Sequence, residues 1–161
     1  MKSATLTLGR TFSVAFEHGK DFFSELQEFC AVNGVKQGYI PFFIAGMSEV
    51  ELVGTCERIE DKHAPIWSKV YLENVEAVGA GTLAFDEETG QISPHIHVSI
   101  GQKTDSALAR MSHLLSAKVL FLTEMVVVEV IQPHFRRIQN PSLYNVGLLS
   151  FLNDEELMMH R

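Results

Sequence analysis

The sequence predicts an α+β domain dominated by antiparallel strands, with one clear helix near its start. Three observations indicate this fold class. Several segments alternate apolar and polar residues, as residues 11–17 do, and this period of two is typical of strands with one buried face. Only residues 22–33 show the apolar spacing of an amphipathic helix. Turn-forming residues at 86–90 lie between two strand-like segments, which predicts a hairpin.

The predicted helix has signals at both ends. Asp21 precedes it, and its side chain can accept a hydrogen bond from the free N–H groups of the first turn. Phe22, Leu26 and Cys30 fall on one stripe, which we expect to face the core. Gly34 follows directly and suits the left-handed conformation that commonly ends a helix.

The segment after the helix predicts two strands separated by a turn. Residues 35–45 are apolar and rich in β-forming residues, so we expect a buried strand that Pro41 interrupts. Residues 46–49 are interpreted as the turn and residues 50–53 as the short second strand. The charged residues 58–65 predict an exposed loop.

The rest of the chain predicts further strands and a tail. The predicted strands are 67–72, 75–85, 93–100, 119–128 and 135–138. Gly79 and Gly81 indicate bulges or a close backbone approach. The β-branched run 119–128 predicts a strand buried on both faces. We therefore expect one domain over residues 1–150 and a charged tail over residues 151–161.

Bulk composition narrows the classes of function. The chain has 161 residues and a formal net charge of −7, and its only adjacent basic pair is Arg136-Arg137, so nucleic acid is an unfavourable partner. No segment reaches the roughly 20 apolar residues of a membrane span, and no signal peptide is visible. Cys30 and Cys56 form no C-x-x-C pair and are interpreted as reduced thiols of a cytoplasmic protein.

Three histidines are the strongest candidates for a functional site. His95 and His97 stand at i and i+2 of a predicted strand, so their side chains share one face, and His113 follows sixteen residues later. Three imidazole ligands leave a coordination position open, and neutral imidazole suits zinc as well as nickel, copper or iron. The alternative is a set of exposed histidines on a solvated face. The other histidines considered, His18, His63 and His160, are expected to be solvated.

Two further groups have a functional and a structural interpretation. Glu124 lies in the most apolar run of the chain, where a carboxylate is costly unless it is paired. It is either a salt-bridged or rim residue, or a catalytic base or orienting group beside a metal. Glu129 is expected to be solvated. Arg136 and Arg137 either end a strand or bind an anionic substrate or a phosphate.

Gly81-Thr82-Leu83, the hairpin and Pro94-His95-Ile96-His97-Val98 together form a G-x-L…P-H-x-H-V pattern. This pattern resembles the central motif of the plants-and-prokaryotes conserved (PPC) domain, and the resemblance to that family covers roughly residues 8–140. Weaker similarities lie at residues 16–21, 112–115 and 123–126. Met111-Ser112 stands where the family has two glycines, which places the third ligand in question. The AT-hook of the plant members has no counterpart in this sequence.

This resemblance implies an antiparallel sheet flanked by helices, assembled as a homotrimer. It implies that His95, His97 and His113 hold a metal, commonly zinc. The leading hypothesis is a homotrimeric metal-binding protein whose role as an enzyme is open, with chemistry on a small carbonyl or carboxylate compound and Glu124 as its base. The alternatives are a DNA-binding regulatory protein and a structural trimer that gathers partners.

Overall fold

The computed structural model describes residues 2–55, 67–86, 88–105, 108–143 and 146–154. It consists of one helix, seven strands and two short 3₁₀ turns at Lys103–Asp105 and Pro141–Leu143. The helix and strands are β1 (Thr7–Glu17), α1 (Phe22–Asn33), β2 (Gly38–Thr55), β3 (Trp67–Asp86), β4 (Gln91–Gly101), β5 (Arg110–Gln132), β6 (His134–Asn140) and β7 (Val146–Leu152). The predicted class, a mainly antiparallel α+β domain, is confirmed. Among the described residues, no helix is long and apolar enough to span a membrane.

The main sheet closes on itself, and this closure positions the site. Its strand order is β1-β5-β2-β3-β4, and β4 pairs in addition with β5. Strands β2 to β5 therefore form a ring of antiparallel pairs, with β1 added outside β5. The ring closes where His97–Ile100 pairs with Arg110–His113. A second sheet, β6-β7, packs on the first through a small cluster that includes Phe135 and Val130.

The helix packs against the strands of this ring and has the caps and the buried stripe that its sequence predicts. Asp21 caps it by accepting a hydrogen bond from the Ser24 N–H at 2.8 Å, and Gly34 ends it with φ of +67°. The buried stripe of the helix consists of Phe22, Leu26 and Cys30. Phe22 packs against Phe16 and Phe43 with ring centroids 5.6 and 5.2 Å apart. The main core lies between α1 and the inner faces of the strands.

The predicted turn at residues 46–49 is wrong, because β2 continues without interruption to Thr55. Gly46 serves a close approach instead, since a Cβ there would collide with the carbonyl oxygen of Leu120 on β5. The register with β5 shifts at this point, which bends the strand without reversing it. Pro41 lies in a second irregularity, between Ile40 and Phe43, as its ring predicts.

The expectation for residues 119–128 is also wrong in one respect. They form a strand, but burial alternates: Val119 and Met125 face the core, whereas Phe121 and Leu122 are 68% and 44% exposed. One side of β5 faces the interior of the ring and the other faces outward, so β-branched content alone is not sufficient evidence that a strand is buried on both faces.

Predicted strands 67–72 and 75–85 form one strand, β3, and β7 was not predicted. The predicted loop 58–65 and Cys56 lie outside the described residues.

Candidate metal centre

The closing point of the ring brings the three predicted histidines together. His95 and His97 lie on β4 and His113 lies on β5, where it is the register partner of His97. One ligand atom from each residue lies within 4.8 Å of the others. His95 Nε2 and His97 Nε2 are 3.2 Å apart. We call these residues the three-histidine cluster. Ile96 between them is fully buried, so both imidazoles point outward from the ring.

Two nitrogens of the cluster have the spacing that a tetrahedral metal ion requires, and the third ligand atom lies within 4.8 Å of both. Ligand nitrogens at about 2.0–2.1 Å from a zinc ion are roughly 3.3 Å apart when the geometry is tetrahedral. The 3.2 Å separation of the His95 and His97 nitrogens matches this value. His95 and His97 are exposed and His113 is half-buried, which leaves one side open to solvent. The donor set and its geometry therefore fit a divalent transition metal.

Two glycines of β3 set the position of the ligand strand. A Cβ on Gly81 would lie 2.7 Å from the carbonyl oxygen of His95, and one on Gly79 would lie 2.8 Å from that of His97. Real Cβ atoms essentially never approach so closely, so only glycine permits this spacing between β3 and β4. The close backbone approach predicted from the sequence is confirmed.

Met111-Ser112 does not prevent His113 from reaching the cluster. The Ser112 hydroxyl donates a hydrogen bond to the carbonyl oxygen of Val53, across the β2–β5 pairing. Its side chain lies against Gly54, which has no Cβ to obstruct it. Met111 is exposed. The polar residue that replaces the family glycine is thus accommodated, and His113 keeps its place opposite His97.

The surroundings favour the neutral form of His95 and His113, which is the form that binds metal. Partial removal of the His95 imidazole from water by its neighbours is the main cause that lowers its pKa to about 4, although part of the side chain is exposed, and the positive charge of Arg137 adds to it. Burial likewise lowers the pKa of His113, with further contributions from His97 and Arg137.

Arg137 is a cation whose charge acts on His95 and His113, and it comes from β6 of the second sheet. Its Nη2 donates to the hydroxyl of Thr82, whose register partner on β4 is His95. Its Nε is buried and has no hydrogen-bond partner. Arg136 instead donates to the carbonyl oxygen of Phe85 at 2.8 Å. Of the predicted arginine pair, the structure brings Arg137 to the cluster and uses Arg136 to join the two sheets.

Glu124 is not brought to the cluster. It lies on β5 opposite Ala15 and Ile44, whereas His113 lies on the same strand opposite His97 and Val53. Its side chain is exposed.

The expectation that Glu129 is solvated is wrong. Glu129 is buried and accepts hydrogen bonds from Arg10 Nε and Nη2, each at 2.8 Å. The Arg10 guanidinium lowers the pKa of this carboxyl to about 2. The partners are 119 residues apart, so no local pattern connects them.

The remaining histidines lie away from the cluster or outside the described part of the chain. His18 is exposed, and its Nδ1 accepts a hydrogen bond from the N–H of Phe121 at 3.1 Å. His134 Nε2 lies 2.8 Å from an oxygen of Asp154. His63 and His160 lie outside the described residues.

Comparison with known proteins gives the family and the fold. The family model of the Plants and Prokaryotes Conserved (PCC) domain matches residues 3–131. A metal-containing protein from Archaeoglobus fulgidus has a TM-score of 0.72 at 23% identity, and the match covers 95% of this chain and 100% of that one. For a PPC protein from Pyrococcus horikoshii the TM-score is 0.75 at 21% identity, with 95% and 99% covered.

A third similar structure has a different description. It is a candidate DNA-binding protein from Bacteroides thetaiotaomicron, with a TM-score of 0.68 at 22% identity, and the match covers 91% of this chain and 96% of that one. No curated protein matches the sequence. At these identities the similarity establishes a common fold and leaves the function to be argued from the site.

Proposed function

This chain belongs to the Plants and Prokaryotes Conserved domain family, and we propose that it is a metal-binding member that holds a divalent transition metal, zinc in the first instance, on His95, His97 and His113. The observation that carries the proposal is the 3.2 Å spacing of two ligand nitrogens within a three-imidazole cluster. The similar fold of a metal-containing archaeal protein supports it.

The open side of the cluster suits chemistry on a small carbonyl or carboxylate compound. An ion bound by three protein ligands supplies a Lewis acid for an oxygen atom of such a compound. Neutral imidazoles hold the ion, and the closing ladder between β4 and β5 keeps them at fixed separation. The role of Glu124 as base stays a prediction, and its exposed position beside Ile44 gives it no support within one chain.

The first experiment is a metal analysis of protein purified without a histidine tag. We expect about one zinc per chain in the wild type after zinc addition and none above background in the His95→Ala/His97→Ala variant. His18→Ala is the matched control, because His18 is exposed and outside the cluster, and it should keep full occupancy. Wild-type protein that takes up no zinc, or a double variant that retains it, contradicts the proposal.

We also propose that the chain assembles as a homotrimer through an outer apolar face. Ile44 and Val78 are register partners on β2 and β3 and are 46% and 52% exposed. Phe42 and Leu122, which are also exposed, lie nearby on β2 and β5. Clustered apolar exposure of this kind is typical of surfaces that bury against another protein.

Light scattering on eluting protein tests the trimer. The expected mass is three times the 18.0 kDa of one chain. An Ile44→Glu/Val78→Glu variant should run as a monomer, whereas Val32→Glu, which alters an exposed apolar residue of the helix, should not change the mass. A monomeric wild type contradicts the proposal.

We further propose a cytoplasmic location, which is consistent with the free thiol of the buried Cys30.

DNA binding is the alternative function, and the name of the similar Bacteroides protein is the observation in its favour. The net charge of −7 opposes it, and a trimer carries about three times that charge. Of the described cations, Arg10 is paired with Glu129. A gel shift that weakens steeply with added salt is the result that would support this alternative over the metal site alone.

A further inference from the structure

We propose that Arg137 forms an anion-binding subsite beside the three-histidine cluster, and that the ligand taken there is a small molecule with a carboxylate group. This inference rests on the proposed metal site and adds to it the class of ligand and the residue that selects it. Four features of the described residues support it: the place of the guanidinium, its lack of a counter-ion, its buried unpaired N–H and the open side of the cluster.

The guanidinium is held next to the cluster by the packing of the two sheets. Arg137 leaves β6, crosses β3 and donates its Nη2 to the hydroxyl of Thr82. Thr82 is opposite His95 in the β3–β4 ladder. Because register partners of an antiparallel ladder share one face, the guanidinium at Thr82 lies on the same face of the sheet as the His95 imidazole.

In the described part of the chain, no carboxylate lies within ion-pair distance of Arg137. The contrast with Arg10 is informative, because that guanidinium is more exposed and yet has two hydrogen bonds to Glu129. Arg137 is half-buried, and its Nε is buried with its hydrogen unpaired. A buried donor without an acceptor is costly, particularly on a charged group.

A divalent cation on the histidines would add to this excess of positive charge. No carboxylate belongs to this group among the described side chains, since the group consists of three imidazoles. An anion between the imidazoles and the guanidinium removes the imbalance. The N–H groups at Nη1 and Nη2 of Arg137 that do not bond to Thr82 supply its donors, and the buried Nε–H beside them senses the bound charge.

A carboxylate fits this arrangement better than a phosphate. A guanidinium presents parallel N–H groups that match the two oxygens of a carboxylate. Among the described residues one guanidinium is available at the cluster, because the neighbouring Arg136 bonds to the carbonyl oxygen of Phe85. A single planar guanidinium pairs with the two oxygens of one carboxylate, and the open side of the cluster can accept a further oxygen on the same compound, as in a 2-hydroxy acid.

The test follows the Nε–H resonance of Arg137 by ¹H–¹⁵N NMR while glycolate, the simplest 2-hydroxy acid, is added to zinc-loaded protein. The resonance is assigned by its absence from Arg137→Gln. We expect a saturable shift of that resonance in the wild type. Glycolate affinity, measured by calorimetry, should fall at least about tenfold in Arg137→Gln, as expected for loss of hydrogen bonds to a charged group. Arg110→Gln, which removes an equal charge from an exposed position, should bind like the wild type.

Each outcome of this experiment decides one of the two proposals. Equal glycolate binding by Arg137→Gln and the wild type, or no shift of the Arg137 resonance, overturns the subsite. Saturation by inorganic phosphate without saturation by glycolate overturns the carboxylate assignment. If elemental analysis finds no zinc in the wild type, the metal site is refuted, and the same titration of the metal-free protein decides whether Arg137 binds the anion. Zinc content that is unchanged in Arg137→Gln shows that its effect is on the anion.

Discussion

Gly81→Ala is expected to displace the ligand strand and weaken metal binding. The added Cβ would lie 2.7 Å from the carbonyl oxygen of His95 and 2.7 Å from Cγ1 of Ile96, whereas ordinary contacts begin at 3.4 Å. The gap between β3 and β4 must therefore open by about 0.7 Å at the ligand His95. Metal sites tolerate departures of about 0.2 Å in ligand distance, so we expect zinc affinity to fall by roughly 10- to 100-fold.

The assay is competition for zinc against a chromophoric chelator, with urea unfolding of the metal-free protein alongside. Overpacking of this kind costs about 1–3 kcal/mol in the free energy of unfolding. Gly101→Ala is the matched control on β4, because the nearest atom to its added Cβ lies at 3.5 Å, in ordinary contact. The reasoning is refuted if Gly81→Ala binds zinc within twofold of the wild type, or if Gly101→Ala loses as much affinity.

Three other outcomes are expected. Asp21→Ala should lower the free energy of unfolding by about 1 kcal/mol, measured in urea, whereas Asp21→Asn should retain most of the stability because asparagine also caps helices. Burial raises the pKa of the Cys30 thiol to about 12, so in a Cys56→Ser background a disulfide reagent at pH 8 should react only after unfolding; rapid reaction of the folded protein would contradict this. Arg10 lowers the pKa of Glu129 to about 2 from 4.5, so the stability that this pair contributes is complete above pH 4.5 and is lost as the pH falls towards 2. The difference in stability between the wild type and Glu129→Gln should therefore be larger at pH 7 than at pH 2, and a difference independent of pH would refute the assignment.

The parts of the fold that local chemistry determines could be predicted from the sequence. The capping carboxylate of Asp21 accepts from the N–H of Ser24 in the first turn, and the left-handed Gly34 donates its N–H to the carbonyl oxygen of Ala31 in the last turn. The pairing of His95 with His97 likewise follows from the alternation of side chains along one strand. In both cases the interacting groups are close in the chain, so the pattern carries the information.

The features that were missed depend on contacts between distant segments. Gly46 is a residue type that is common in turns, but in the structure it lets β5 approach β2 closely. This approach is required by the closed ring, which the local sequence does not reveal. The sequence around Glu129 predicts a solvated side chain, whereas in the fold β1 places Arg10 beside it and the two side chains form hydrogen bonds. Arg137 reaches the cluster because the second sheet packs on β3, and that sheet includes β7, which the sequence did not predict. The spacing of residues along the chain does not predict these contacts, because they form between segments that are distant in sequence.

The position of two ligands on opposite sides of the closing ladder has a mechanical consequence. Within the part of the chain that the structure describes, four register pairs, His97–Ile100 with Arg110–His113, join β4 to β5, and this is the shortest of the described ladders of the ring. An ion shared by His97 and His113 would act as a latch across it, because the ladder could not part without losing a ligand. Chelation should then accelerate amide hydrogen exchange at these four pairs selectively, while the long β2–β3 ladder keeps its protection. Metal supply would in this way set how often the ring opens.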